Sequence, residues 1–241
     1  MTSQRRLTVV IPAFNEEGRL PATLARVADY VANQSQLLPA EIIVVDDGST
    51  DATARVVEGF SAPTGISVQA MRLGRNRGKG AAVRAGLAAS TGAWVLISDA
   101  DLATPIEEIG TLHESKAMLA AGSRGLRREL IVRRQPLPRD TLGRLFNLGL
   151  RLLGLTSLRD TQCGFKLLEG DLARRLAGEL RLDGFAFDVE LLARARGHGA
   201  TIAEVPVRWY HVESSRVQPL RHGLQMLRDA LRIRWWLWTG R

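Results

Sequence analysis

Two carboxylates one residue apart, Asp99-Ala-Asp101, close the apolar run Trp94-Val95-Leu96-Ile97-Ser98. Carboxylates at the exit of a buried strand are poor core elements. They make a good clamp for Mg²⁺ or Mn²⁺, hard cations that take oxygen ligands from one or two carboxylates and from substrate phosphates. On its own such a short pair describes a solvated turn equally well. Its weight comes from where the other reactive residue types fall. Asp46-Asp47 ends a second apolar run, and 12–17, carrying Glu16 and Glu17, follow a first. Gly78-Lys79-Gly80 fits neither phosphate-loop pattern: Val83 stands where the dinucleotide fingerprint needs a third glycine, and no Gly-Lys-Ser/Thr is present. There the glycines permit close helix packing, while Lys79 or Arg77 faces a donor.

The elements that must position these residues alternate. Apolar runs predict strands over 7–11, 42–45, 68–73 and 94–98, and helices over 20–31, from Ser49 or Asp51 as N-cap to about 60, and over 78–89. Strands separated by crossover helices imply a mostly parallel sheet, which binds ligands beyond the carboxyl ends of its strands. The acidic residues cluster at those ends. Further strands are predicted over 118–121, 165–168 and 202–207, with helices over 141–155, 188–196 and 219–238. A basic loop with Arg127, Arg128, Arg133, Arg134 and Arg139 around Pro136 and Pro138 precedes the 141–155 helix. The last helix places Leu220, Leu224, Leu227, Leu231, Trp235 and Trp238 at helical spacing among arginines, with Trp236 in the same aromatic cluster. That is the composition of a helix lying in a membrane interface, its core side docked and its tryptophan end in lipid.

Charge is divided unevenly along the 241 residues: 11 basic against 13 acidic in 1–120, and 22 against 12 in 121–241. The excess is arginine and suggests an anionic partner. Nucleic acid is not the expected one, because no stacking motif or groove-reading unit accompanies the charge. One cysteine, Cys163, excludes an internal disulfide and reads as a packed small residue. No apolar run is long enough to span a membrane, and the first residues lack a signal-peptide core. A peripheral position on the cytoplasmic face of a membrane is expected, with room for a small membrane-spanning partner.

Taken in order, Val10-Ile-Pro-Ala-Phe-Asn-Glu-Glu17, Val44-Val-Asp-Asp-Gly-Ser-Thr-Asp51, Asn76-Arg-Gly-Lys-Gly80 and Asp99-Ala-Asp101 resemble the GT-A-fold, family 2 glycosyltransferases. Gly122-Ser-Arg124, Asp160-Thr-Gln-Cys-Gly-Phe-Lys166, Phe187-Asp-Val-Glu190, Glu204-Val-Pro-Val-Arg-Trp209 and Ser214-Ser-Arg216 narrow the resemblance to the dolichyl- or polyprenyl-phosphate β-glucosyltransferase branch. Two departures are visible: Ala103 stands where mannose synthases carry a metal-facing glutamine, and the N-terminal anchor of the eukaryotic glucosyltransferases is not seen. The resemblance implies an α/β GT-A (Rossmann-like) fold with a mostly parallel central sheet, flanking helices and C-terminal amphipathic interface helices. It implies a catalytic domain over 1–215, with a nucleotide-sugar half (1–120) and an acceptor half (121–215), and an interface tail over 216–241.

The implied reaction is inverting transfer of a hexose from a UDP-sugar to polyprenyl or dolichyl phosphate, with glucose the first choice and UDP-N-acetylgalactosamine or GDP-mannose the alternative donors. Pro12, Ala13, Glu16, Val45 and Asp47 would hold the nucleoside, with Asp47 reading base or ribose. Asp99 and Asp101, with Ala100 between them, would hold Mg²⁺ or Mn²⁺ on the diphosphate, joined by Lys79 and Arg216. A lipid phosphate monoester has a second pKa near ~6, so it is already a dianionic nucleophile at neutral pH and needs cations rather than a strong base. Arg124 is the first candidate for that task, then Arg134 and Arg139, since guanidinium forks suit phosphate oxygens. Asp160, Asp188 and Glu190 would orient sugar hydroxyls or those arginines.

Overall fold

The computed structural model describes residues 5–133, 137–211 and 219–239. Period-two alternation in the first strand sets the layering. In β1 (Leu7–Ala13), Leu7, Val9 and Ile11 face one helical layer and Val10 the other, all fully buried. In β2 (Ala40–Asp46), Ile42 and Val44 take the first face and Ile43 and Val45 the second. Strands buried on both faces read as continuous apolar runs, which is why these were legible as strands of a parallel sheet.

Chain order continues through α1 (Leu20–Ala32), α2 (Thr53–Glu58), β3 (Ile66–Arg72), α3 (Lys79–Ala89), β4 (Trp94–Ile97), α4 (Ile109–Glu114) and β5 (Leu119–Ser123). Then follow β6 (Ile131–Arg133), α5 (Leu137–Leu152), β7 (Lys166–Glu169), α6 (Gly170–Glu179), α7 (Phe187–Gly197), β8 (Ile202–Pro206), β9 (Trp209–Tyr210) and α8 (Pro219–Thr239). The main sheet has seven strands in the order β3-β2-β1-β4-β7-β5-β8, parallel except for β7, which runs antiparallel to both neighbours. One core layer packs α1 and α4 on the sheet; the other packs α3, α6, α7 and the inner side of α8.

Strand β1 lies between β2 and β4, in registers Leu7↔Ala40 and Leu7↔Trp94. The order reverses there, and the reversal opens a crevice at the carboxyl ends of the three strands. Asp46-Asp47 and Asp99–Asp101 leave the sheet at that crevice.

Three expectations shift. Helix α5 starts at Leu137 rather than 141, because Pro138 falls in its first turn, where a missing N–H costs nothing. It stops at Leu152 because Gly154 takes the left-handed conformation (φ 69°), with Leu155 N–H on Leu150 C=O and Gly154 N–H on Arg151 C=O. Part of the basic loop is a strand: β6 pairs in parallel with β9 in a small second sheet. Helix α2 begins at Thr53; Asp51 Oδ1 accepts the Thr53 N–H from just outside the helix.

Candidate active site

Past β4 the chain turns sharply. Ala100 points into the core, and its carbonyl accepts the Thr23 hydroxyl at 2.6 Å, so the flanking carboxylates face away from the packed layer. Leu102 adopts positive φ (46°), and Asp101 Oδ1 accepts the Ala103 N–H at 3.0 Å, which closes the turn. Lys79, the first residue of α3, places Nζ 2.5 Å from Asp99 Oδ1. Burial pulls the Lys79 ammonium down, but the Asp99 charge outweighs it and the pKa is raised. Burial likewise works against the Asp99 carboxylate, and Lys79 reverses that to hold it below the ordinary range. Asp101 goes the other way: burial and the Asp99 charge push it up. Two like-charged hard-oxygen donors, held together and only half compensated by one ammonium, suit a divalent cation.

Gly164 is what lets Asp99 sit there. A Cβ at Gly164 would fall 2.1 Å from Asp99 Oδ2, a distance no real contact allows. Gly164→Ala is therefore expected to displace the carboxylate and lower kcat/KM by roughly 100-fold, the scale of an ångström-level misplacement. Steady-state kinetics beside a far-ultraviolet circular dichroism spectrum checks this. Wild-type turnover in the folded variant would contradict it.

A second acidic residue lies behind Lys79. Asp188, in the first turn of α7, accepts from Lys166 Nζ at 2.5 Å, and Lys166, fully buried in β7, also donates to the Cys163 carbonyl at 2.6 Å. Burial raises the Asp188 pKa despite Lys166 and Lys79. Charges of alternating sign thus run from Asp99 through Lys79 and Asp188 to Lys166.

Across the crevice, Arg124 leaves the end of β5 and grips Asp160 with Nε at 2.7 Å and Nη2 at 2.8 Å, while its own N–H reaches Asp160 Oδ2 at 3.0 Å. Burial opposes both charges, yet each fixes the other: Arg124 holds Asp160 down at about 2, and Arg124 itself is raised. Glu204 of β8 anchors the same loop by accepting the Arg159 and Asp160 N–H groups and the Ser123 hydroxyl. The guanidinium lies 5.4 Å from the Trp209 ring, and among the described residues its Nη1 has no hydrogen-bond partner. Its charge also acts on Asp99, so the two carboxylate-bearing sides of the crevice belong to one electrostatic unit.

A match to the glycosyl transferase family 2 model covers residues 8–151, from the start of β1 through α5. The chain belongs to glycosyl transferase family 2. Relatives of this glycosyltransferase include the dolichyl-phosphate β-glucosyltransferases of Homo sapiens, 37% identical over 98% of this chain and 77% of that one. The Drosophila melanogaster protein of the same name is 38% identical over 94% and 74%. That of Saccharomyces cerevisiae is 31% identical over 95% and 74%. The fold is shared with solved structures of glucosyl-3-phosphoglycerate synthase from Mycobacterium tuberculosis. One, in complex with Mn²⁺ and UDP-glucose, superposes with a TM-score of 0.63 at 23% identity, covering 95% of this chain and 79% of that one.

Within this glycosyltransferase the expected site residues divide. Asp99, Asp101, Lys79, Arg124, Asp160 and Asp188 form the charged crevice just described. Pro12 is half-buried near the end of β1, and Ala13 is buried, with its carbonyl accepting the Asp47 N–H at 2.8 Å. Glu16 pairs with Arg19 at 2.9 Å, and its N–H donates to Thr53 Oγ1. The Asp47 oxygens accept the Arg77 and Gly78 N–H groups at 2.8 and 2.7 Å, one each, which fixes the turn that presents Lys79. Arg134 and Arg216 lie outside the described residues. Arg139 falls in the first turn of α5, with its side chain outside the described set.

Two assignments change. Val45 does not line the crevice, because its side chain is fully buried against α3 and its backbone pairs with both β1 and β3. Glu190 is not available to sugar hydroxyls. Its carboxylate accepts the Arg181 and Leu182 N–H groups and Arg194 Nε, supporting the 181–182 turn from beneath. Cys163 is buried with a raised pKa, from burial and then Asp160, as befits a packed thiol.

Lys166 and Asn15 brace the crevice, and neither has an assigned role in the sequence analysis. A lysine opening an otherwise apolar strand segment was the available signal for Lys166. Asn15, at φ 53°, ties the loop after β1 to that after β2 through Oδ1 on Thr50 N–H and its own N–H on Ser49 Oγ.

Proposed function

We propose that this glycosyltransferase moves glucose from UDP-glucose to a polyprenyl phosphate of the dolichyl type, with inversion at the anomeric carbon. The supporting observation is the two-signed crevice: an acidic pair compensated by Lys79 on one side, and a rigidly held arginine on the other. Near-full-length similarity to dolichyl-phosphate β-glucosyltransferases supports the same reading.

Asp99 and Asp101 would hold Mg²⁺ or Mn²⁺ on the donor diphosphate, and that ion would offset the charge developing on departing UDP. Lys79 adds a protein cation at the same end, and Asp47 keeps its turn in place. Pro12, Ala13, Glu16 and Asp47 border the nucleoside, with Asp47 reading base or ribose, and Arg216 joins the diphosphate. Arg124 presents the acceptor phosphate through its remaining guanidinium edge, and Arg134 and Arg139 are the next cations to serve that phosphate. Asp160 orients that guanidinium rather than taking a proton. A dianionic phosphate oxygen attacks the anomeric carbon as the bond to UDP breaks, and no proton has to be removed. Asp188, poised by Lys166, faces the sugar. In domain terms, 1–120 serves the donor and 121–215 the acceptor, with 216–241 as the interface tail.

Lipid access fits the outer helices. Leu145, Leu148 and Leu152 form one exposed face of α5, and Leu227, Leu231, Trp235 and Trp238 one of α8, with Leu152 81% and Trp238 80% exposed. Of the expected apolar stripe of α8, Leu227, Leu231, Trp235 and Trp238 thus face outward, while the side chains of Leu220 and Leu224 lie outside the described residues. Met226, Asp229, Ala230 and Ile233 make the inward one, and Trp236 turns inward under Arg181. Among the described residues no helix is long and apolar enough to cross a membrane. On this reading the exposed apolar faces seat the protein peripherally on the cytoplasmic face of a membrane, with room for a small spanning partner.

A donor panel tests the reading. With polyprenyl phosphate in vesicles and Mg²⁺ or Mn²⁺ present, UDP-glucose is expected to give lipid-linked sugar faster than UDP-N-acetylgalactosamine or GDP-mannose. Preference for either of those donors would overturn the choice of hexose.

A further inference from the structure

The loop carrying Asp160 is gripped from two directions. Glu204 and Lys166 hold it to the sheet. From outside, α5 sends Asn147, whose Oδ1 accepts both the Thr161 N–H at 3.2 Å and the Thr161 hydroxyl at 2.7 Å. Asn147 is 6% exposed and Thr161 fully buried, so these bonds are shielded from water. The Asn147 amide nitrogen donates to the Gly143 carbonyl at 3.1 Å, which fixes the orientation of its oxygen. Helix α8 touches the adjacent residue, with Gln162 Nε2 3.6 Å from Met226 Sδ. Both helices that grip this loop carry exposed apolar faces on their far sides. The same loop holds Arg124, because Asp160 and the Gln162 N–H on Asp160 Oδ1 belong to it.

We propose that Asn147 is a positioning residue that couples the seating of α5 on a lipid surface to the Asp160–Arg124 pair. This rests on the proposed lipid-phosphate acceptor. Arg124 is held by a loop whose outer anchor sits on a lipid-facing helix, so seating that helix stiffens the loop where the acceptor phosphate arrives. Asn147 touches no substrate; it acts through Thr161 and Asp160.

The test uses the full chain and vesicles of phosphatidylcholine with phosphatidylglycerol. Hydrogen–deuterium exchange over 156–163 is expected to slow by about fivefold when wild type binds vesicles, because a held segment opens less often. Asn147→Leu and Thr161→Val are expected to bind the same vesicles with less than a roughly twofold change in that segment. Two independent variants guard against one that fails to fold. Wild-type slowing in the variants, or none in wild type, overturns the proposal.

In turnover, Asn147→Leu should lower kcat on polyprenyl phosphate in vesicles about tenfold at constant KM for UDP-glucose, with a soluble short-chain prenyl phosphate turned over as by wild type. Equal loss on both acceptors would mark a merely structural residue and overturn the coupling. Absence of any transfer by wild type would instead sink the proposed function, since the exchange measurement needs no substrate.

Discussion

Asp101→Ala is expected to lower kcat/KM for glucosyl transfer by about 10³-fold, the equivalent of roughly 4 kcal/mol of transition-state stabilisation. The chain should remain folded. Asp101 is the member of the acidic pair whose ionisation is disfavoured, by burial and by Asp99, so its removal relieves repulsion. Lys79 still compensates Asp99 at 2.5 Å in the variant. Thermal melts should therefore be unchanged or shifted slightly upward while turnover collapses, and Mn²⁺ affinity measured by titration should fall in parallel. A folded variant with undiminished turnover would refute the metal-binding assignment of Asp99 and Asp101.

Arg124→Met should abolish transfer and also destabilise the chain by about 3–5 kcal/mol, because it leaves the Asp160 charge buried without its partner. Arg124→Lys keeps a charge but not the two-pronged geometry, so it should retain more stability than activity. The pH dependence separates the two states. The Asp160 pKa is about 2 in the folded chain. Its unfolded value is about 3.9. A depressed carboxylate contributes stability above its unfolded pKa and loses it as pH falls, here between about 4 and 2, to a total of about 2–3 kcal/mol. In Arg124→Met the guanidinium is lost and only the N–H groups of residues 124 and 162 and the Lys166 charge still oppose burial, so the folded Asp160 pKa should rise toward the unfolded one. Acidification should then stabilise that variant relative to wild type. Urea denaturation across this range reads the difference, and identical acid sensitivity in both proteins would contradict the pairing as the source.

Parts of this site were legible before any coordinates. Strands β1, β2 and β4 announce themselves as apolar runs buried on both faces, and the acidic residues at their exits follow from chain order alone. Asp99, Asp101, Lys79, Arg124 and Asp160 could be named because ordered motifs around them constrain residue type.

What escaped depends on contacts distant in sequence. Lys79 meets Asp99 across 20 positions, Arg124 meets Asp160 across 36, and Lys166 meets Asp188 across 22. No local pattern says which carboxylate takes which cation. Glu190 illustrates the cost: beside Asp188 it looks like a site residue, yet the chain folds the Arg181 and Leu182 N–H groups back onto it. Val45 fails for a simpler reason, since alternation along β2 turns it toward α3. The pairing of β6 with β9 was hidden because three residues among arginines carry too little periodicity to announce a strand. On α8 the helical spacing was right, but sequence could not tell the inward face from the outward one.

In the proposed reaction one crevice would pass glucose from UDP-glucose on a divalent cation to a lipid phosphate held by Arg124. The most direct measurement follows ¹³C label from the anomeric carbon of UDP-glucose into the lipid fraction by NMR, with polyprenyl phosphate and Mg²⁺ or Mn²⁺ present. A single β-glucosyl phospholipid is expected, formed only with divalent cation and not by Asp101→Ala. Label in free glucose alone, or an α-linked product, would contradict it.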